Sequence, residues 1–190
     1  MTEYAEKLKH GDALLIVDVQ NDFCPGGALP IEKGDGVIGV LNRWIRAAVE
    51  KGLPVYASRD WHQVGHISFQ GHGGSWPPHC IQDTQGAAFH KDLELPENTV
   101  VVTKGVRFDQ DQNSAFDQTG LAEEFRRSGI QRVFVGGLAL DVCVQASVMD
   151  ALDEGFETVL LLSATRPVTA EGGKTAVEKM KQAGAVILEE

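Results

Sequence analysis

Between Arg59 and Cys80 the chain reads RDWHQVGHISFQGHGGSWPPHC, a segment holding Asp60, Cys80 and four of the six histidines, His62, His66, His72 and His79. In an extended chain, residues two apart point to the same side, so Asp60 and His62 face one way and Trp61 the other. A carboxylate and an imidazole placed like this can grip one divalent cation, and a second imidazole from further along can close the site. Two imidazoles and one carboxylate leave positions open for water or substrate, and they suit zinc, iron(II) or manganese(II) alike. His66, His72 and His79 are the candidates for the third ligand. His79 is preferred, because Pro77 and Pro78 stiffen its approach. His66 is kept as a fourth ligand or a contact to a bound water, and His72, among glycines, is expected in solvent. A histidine-rich polar loop without an ion is the competing reading.

A second group offers covalent chemistry. Asp18 interrupts the apolar run ALLIVDV, Lys104 follows VVVT directly, and Cys143 lies just beyond RVFVGG. A carboxylate within an apolar run is costly unless paired or hydrogen-bonded. If Asp141 caps the helix that follows, Cys143 sits in its first turn, where the positive helix end favours a thiolate. A neighbouring Lys104 ammonium would favour it further, and Asp18 could accept the thiol proton and later return it to a leaving group. Taken singly, each residue has a plainer reading: a strand-end Asp on loop amides, a strand-end Lys reaching for solvent, a small buried thiol. Cys24 and Cys80 lack such neighbours in the sequence and are read as structural, with Cys80 as a metal ligand the lesser reading. Phe23 and Trp76, in loops on the same edge, could wall a flat ring.

These residues must be positioned by something regular. Apolar runs at 13–19, 54–58, 100–103, 132–137, 158–163 and 185–188 read as strands buried on both faces. Helical periodicity occupies 36–52, 120–129, 141–155 and 170–184. Continuous apolar strands alternating with helices predict an α/β three-layer sandwich, a mostly parallel six-stranded sheet with helices on both faces. With no repeats and no linker, residues 1–190 are read as one domain. Open sheets of this kind hold ligands beyond the carboxyl ends of their strands, and Asp18, Asp60, Lys104 and Cys143 all follow such ends. The long connections 20–35, 59–99 and 104–118 lie on that edge, and loops of this length usually carry function.

The bulk composition narrows the field. The chain has 190 residues, 43% apolar and 23% charged, with a formal net charge of −10. That balance excludes a nucleic-acid binder, which needs clustered Lys and Arg, and an anionic membrane surface is equally unsuited. No run of about 18 apolar residues offers a membrane span. The N-terminal MTEYAEKLKHGDA has no apolar core of the kind found in signal peptides, so a cytoplasmic location is expected. Three cysteines do not make a disulfide framework. A homo-oligomer is compatible with the sequence, which carries no signal for one.

Five motifs together carry a resemblance: IVDVQNDFCPGG (16–27), SRDWHQVGHISF (58–69), WPPHC (76–80), TKG (103–105) and GLALDVCV (137–144). In this combination and order the chain resembles the nicotinamidases (pyrazinamidases) among the isochorismatase-like cysteine hydrolases. The resemblance implies metal-dependent hydrolysis of nicotinamide to nicotinate and ammonia through a thioester, a step in pyridine-nucleotide salvage, with a small aromatic amide as substrate. It implies Cys143 as nucleophile, Asp18 as general acid and base, and Lys104 as the charged third member. It implies Asp60, His62 and His79 as ligands of one divalent ion: zinc, iron or manganese. A cis peptide is implied at Leu138–Ala139, with the Ala139 and Cys143 amides forming an oxyanion hole, and Phe23, Trp76 and Leu138 around the ring. Two alternatives stay open on the residues alone. One is a sister cysteine amidohydrolase acting on a ureido or carbamoyl compound. The other is a non-catalytic metal-binding protein of the same fold.

Overall fold

The computed structural model describes residues 3–189. Its frame is a six-stranded sheet in the order β3-β2-β1-β4-β5-β6. The strands are β1 (Asp12–Val17), β2 (Val55–Asp60), β3 (Val100–Lys104), β4 (Arg132–Leu138), β5 (Glu157–Arg166) and β6 (Val186–Leu188). Every neighbouring pair runs parallel. The helices are α1 (Glu3–Glu6), α2 (Ile38–Glu50), α3 (Leu121–Arg127), α4 (Gln145–Asp153) and α5 (Ala170–Gln182).

Alternation along the strands divides the core into two layers. Leu14 and Ile16 of β1, with Phe134 of β4, pack with Ala5 of α1 and Leu41, Trp44 and Ile45 of α2. Leu15 and Val17, with Val133 and Val135, pack on the other side with Phe125 of α3, Val148 of α4 and Met180 of α5. Both faces of the sheet are therefore covered, as the unbroken apolar runs require.

The chain begins in the middle of the sheet, builds outward through β2 to β3, then returns to lay β4, β5 and β6 on the other side of β1. Adjacent loops at the carboxyl ends of β1 and β4 consequently turn away from each other, and a crevice opens between them. Asp18 leaves β1 at this point and the Leu138–Ala139 peptide, which is cis, leaves β4.

Several boundaries differ from the sequence reading for local reasons. β1 stops at Val17, because Asp18 turns into the left-handed region at φ 48°. The segment expected as one helix from residue 141 is a π-helical turn, Leu140–Val144, running into α4. Asp141 lies inside that turn; the residue ahead of it, Ala139, is extended and caps nothing with its side chain. The 36–52 helix likewise starts as a 3₁₀ turn, Gly34–Val37, ahead of α2. The short α1 has no periodic signature.

β4 approaches β1 closely. At Gly137, with φ 127°, a Cβ would overlap the Val17 carbonyl oxygen, so both backbone conformation and space demand glycine. Gly39, exposed in the first turn of α2, has open space where alanine would add its methyl, with nothing within 4 Å. Gly137→Ala should therefore cost about 3 kcal/mol or more in urea denaturation, whereas Gly39→Ala should be neutral or gain up to about 1 kcal/mol.

Candidate active site

Asp18, Lys104 and Cys143 arrive from three elements at one buried point. The Lys104 ammonium, wholly inaccessible to solvent, lies 2.8 Å from Asp18 Oδ2 and 2.5 Å from Asp60 Oδ1. It also donates to the Gln112 carbonyl at 3.3 Å and towards Cys143 Sγ at 3.5 Å. Asp18 Oδ1 accepts from the Ser58 hydroxyl at 2.6 Å. Its second oxygen faces only the ammonium and the neighbourhood of the sulfur, so it is the oxygen placed to take a proton. One ligand atom from each of Asp18, Asp60 and Cys143 falls within 4.8 Å of the others.

The electrostatics follow from burial and the charge count. Burial raises the Asp18 carboxyl; Lys104 opposes this and Asp60 adds to it. Asp60 is also penalised by burial, but Lys104 and His62 outweigh that and hold it well below the usual carboxylate range. Lys104, facing two carboxylates, stays firmly charged despite burial. Burial pushes the Cys143 thiol well up; Lys104 opposes this, and the Asp18 and Asp60 charges add to it. This departs from the sequence expectation of a preformed thiolate. Two anions stand near the sulfur against one cation, and Asp141 does not cap a helix beneath it.

Asp60, His62 and His79 meet on the other side of Lys104. Asp60 Oδ2 lies 3.6 Å from His62 Nε2 and 3.9 Å from His79 Nε2. His62 Nδ1 is bonded to the Gly105 carbonyl at 2.9 Å and His79 Nδ1 to the Pro77 carbonyl at 2.7 Å. A carbonyl only accepts, so both Nδ1 atoms carry the proton and both Nε2 lone pairs point towards the carboxylate. Three acceptors aimed at one point need a cation or a proton between them. Burial lowers His62, but Asp60 outweighs it and raises the ring, which is the proton solution; burial keeps His79 neutral. The donor set and its backbone bracing suit a divalent ion. A Cβ at Gly105 would overlap the His62 ring.

His66 is buried against His62, with ring centroids 4.3 Å apart. Its Nε2 bonds the Arg107 carbonyl at 2.9 Å, and its Nδ1 takes the Ser68 hydroxyl at 2.8 Å. Both nitrogens are thus engaged within the chain, and His66 also forms a second donor group with His62 and Asp111, whose ligand atoms fall within 4.8 Å of one another. His72 is exposed, as expected. Cys80 is fully buried outside the Asp60–His62–His79 cluster, with burial driving its thiol far up, and burial takes Cys24 to about 11.

A cavity joins the two halves. It is lined by Cys143, Ala139, Asp60, His62 and His79, with Phe23, Leu29, Ile31, Trp76, Val142 and Val168 as apolar walls and Asp111 and Asn113 at one side. Phe23 and Trp76 both line the space. Leu138 does not: its side chain is fully buried in the core, and the residue across the cis peptide, Ala139, faces the cavity instead.

An isochorismatase domain profile matches residues 12–190. The chain belongs to the isochorismatase family. It is 35% identical to a nicotinamidase of Escherichia coli K12, covering 92% of this chain and 93% of that one. A pyrazinamidase of Pyrococcus horikoshii, solved in complex with zinc, superposes with a TM-score of 0.91 at 43% identity, over 95% of this chain and 99% of that one. PnC1 of L. infantum, solved in complex with nicotinate, gives a TM-score of 0.86 at 39% identity, over 94% and 92%. Among the described residues of this family member, no helix is long and apolar enough to cross a membrane.

Several residues that matter here escape sequence reasoning. Gln20, fully buried, donates to the Asp60 and Ala87 carbonyls, each at 2.8 Å, and accepts from the Asp60 amide at 2.9 Å. Asp22 accepts from the Cys80 amide at 2.7 Å and the Ala28 amide at 3.0 Å, tying the loop after β1 to the loop carrying His79. Both lie in the QNDF run, whose only signal is polarity directly after a buried strand. Asp111 and Asn113 come from the long 104–118 connection, whose length marks the loop but not these residues within it.

Lys104 balances two buried carboxylates, so Lys104→Met should cost about 3–5 kcal/mol at pH 7 in metal-free buffer. Without the ammonium both carboxyls would titrate above their unfolded values, so protonation would favour the fold. The variant's deficit should therefore shrink as pH falls from 7 towards 4, read by parallel urea titrations.

Proposed function

We propose that this protein is a nicotinamidase: an amidohydrolase that converts nicotinamide to nicotinate and ammonia through a thioester on Cys143. The observation that carries this reading is one cavity shared by a thiol beside a buried Asp–Lys pair and an Asp–His–His donor set, with two aromatic side chains in its wall. The relatives named above act on or were solved with matching molecules, which supports the substrate assignment.

In the reading proposed, the flat ring lies between Phe23 and Trp76 with its carboxamide directed at Cys143. Asp18 Oδ2 takes the thiol proton as the sulfur attacks the carbonyl carbon. Lys104 keeps Asp18 ionised beforehand and steadies the charge passing between oxygen and sulfur. The Ala139 and Cys143 amides receive the oxyanion, where a single such donor is worth about 3–4 kcal/mol. Asp18 then gives its proton to the departing amide nitrogen, and ammonia leaves. A water takes its place, Asp18 removes a proton from it, and attack on the thioester releases nicotinate while the proton returns to sulfur. A divalent ion held by Asp60, His62 and His79 would supply a Lewis-acid anchor for the ring nitrogen, directly or through water. The release of nicotinate would place the reaction in pyridine-nucleotide salvage.

Cys143→Ala should abolish ammonia release from nicotinamide while the folded protein still binds the ligand, and hydroxylamine should trap a hydroxamate from the wild type alone. Ammonia release from a ureido or carbamoyl compound in preference to nicotinamide would overturn the assignment. Chelation should lower kcat/KM at least about tenfold, and His79→Ala should do the same in a way that added metal restores poorly.

A further inference from the structure

Asp141 is left unexplained by its expected role as a helix cap. Its carboxylate leaves the turn that carries Cys143 and crosses to the loop between β5 and α5. There Oδ1 accepts from the Val168 amide at 2.7 Å and Oδ2 from the Thr169 amide at 3.2 Å. Thr169 in turn caps α5, its hydroxyl accepting from the Gly172 amide at 3.0 Å. The seat is made for a carboxylate: a Cβ at Gly172 would overlap Asp141 Oδ2. Both residues that this carboxylate links, or stands beside, face the cavity. Val142 follows Asp141 directly, and Val168 supplies its amide to it; each lines the space in front of Cys143.

Val168 is otherwise weakly held. It is 43% exposed and sits on a loop, so packing alone does little to fix it. A wall on such a loop can drift relative to the nucleophile unless something joins the two. We propose that Asp141 is a positioning residue that straps the Val168 wall to the Cys143 turn and thereby sets the width of the ring slot. It touches neither substrate nor reacting atoms. Its two charge-assisted bonds make wall and nucleophile one rigid body, so that a flat single ring fits and a wider ring system is refused. This assignment of a selectivity device rests on the aromatic-amide reading of the site.

Asp141→Asn keeps the shape but replaces one acceptor oxygen by a donor that faces an amide N–H, so one of the two bonds is lost. For the wild type and Asp141→Asn, steady-state kinetics on nicotinamide and on quinoline-3-carboxamide, a two-ring amide, would be compared. Losing a bond of this kind corresponds to about a tenfold change in equilibrium. KM for nicotinamide should rise by about that factor with kcat within about threefold, and the preference for the single ring should fall by a similar amount. Gly172→Ala, whose methyl would crowd both this carboxylate and the Thr169 hydroxyl, should lower the single-ring preference in the same direction. Val168→Ala should relax selectivity too, and the Asp141→Asn/Val168→Ala pair should add little to the larger single effect. Equal losses of kcat on both substrates with selectivity unchanged would overturn the proposal, as would full additivity in the double variant. A second readout does not depend on turnover: the rate of Cys143 modification by N-phenylmaleimide relative to iodoacetamide should rise in Asp141→Asn. If wild type hydrolyses neither amide, the functional reading falls, while an unchanged labelling ratio would sink the strap on its own.

Discussion

A single buried ammonium ties the two halves of this site together. Lys104 has no access to solvent and stands between Asp18, which faces the sulfur, and Asp60, which faces the histidines. Taking three charges out of water is expensive, and only close pairing makes it tolerable. The pairing works because the carboxyl ends of β1, β2 and β3 lie side by side in the sheet, with Asp60 and Lys104 in register across β2 and β3. Each strand delivers one charged residue at the point where it leaves the apolar core. The sheet order is thus the reason the charges meet, and the meeting is the reason they can be buried.

That arrangement also decides how the sulfur is handled. A helix end and a lysine would suggest a thiolate waiting in the resting state. Burial instead raises the thiol, the two carboxylates adding to it against Lys104, and Asp18 lies close by. Cys143 and Asp18 are therefore best treated as one titrating unit. A divalent ion among Asp60, His62 and His79 would offset the charge of Asp60, which is one of the groups that raises the Cys143 thiol.

Much of this is legible in the sequence because it depends on strand ends. Continuous apolar runs locate all six strands, and the residues just after them give Asp18, Asp60, Lys104 and Cys143. The Asp60–x–His62 alternation is readable because β2 stays extended through Asp60. What periodicity cannot convey is the path of irregular chain. The segment from 61 to 99 contains no helix or strand, only isolated bridges such as His62 to Ile81 and Phe69 to Trp76. Hence the roles of His66, held at both nitrogens, and of Asp22, reaching across to Cys80, have no trace in the spacing. Leu138, which the resemblance placed by the ring, instead packs its side chain into the core, and Ala139 lines the cavity. Asp141 is misplaced because a π-helical turn replaces the expected first turn of an α-helix.

Gln20 carries one further consequence. β1 ends when its backbone swings away at Asp18, yet β2 continues for two residues past Ser58, the last residue paired with it. The Gln20 side chain fills that gap by presenting one donor and one acceptor to the Asp60 peptide, as a neighbouring strand would. A carboxamide is the only common side-chain group that can imitate a peptide rung in this way. Glutamate lacks the N–H and methionine lacks both. The end of the sheet is therefore completed by a borrowed amide, and the strand-end carboxylate of Asp60 is held by sheet-like hydrogen bonding that the neighbouring backbone does not supply.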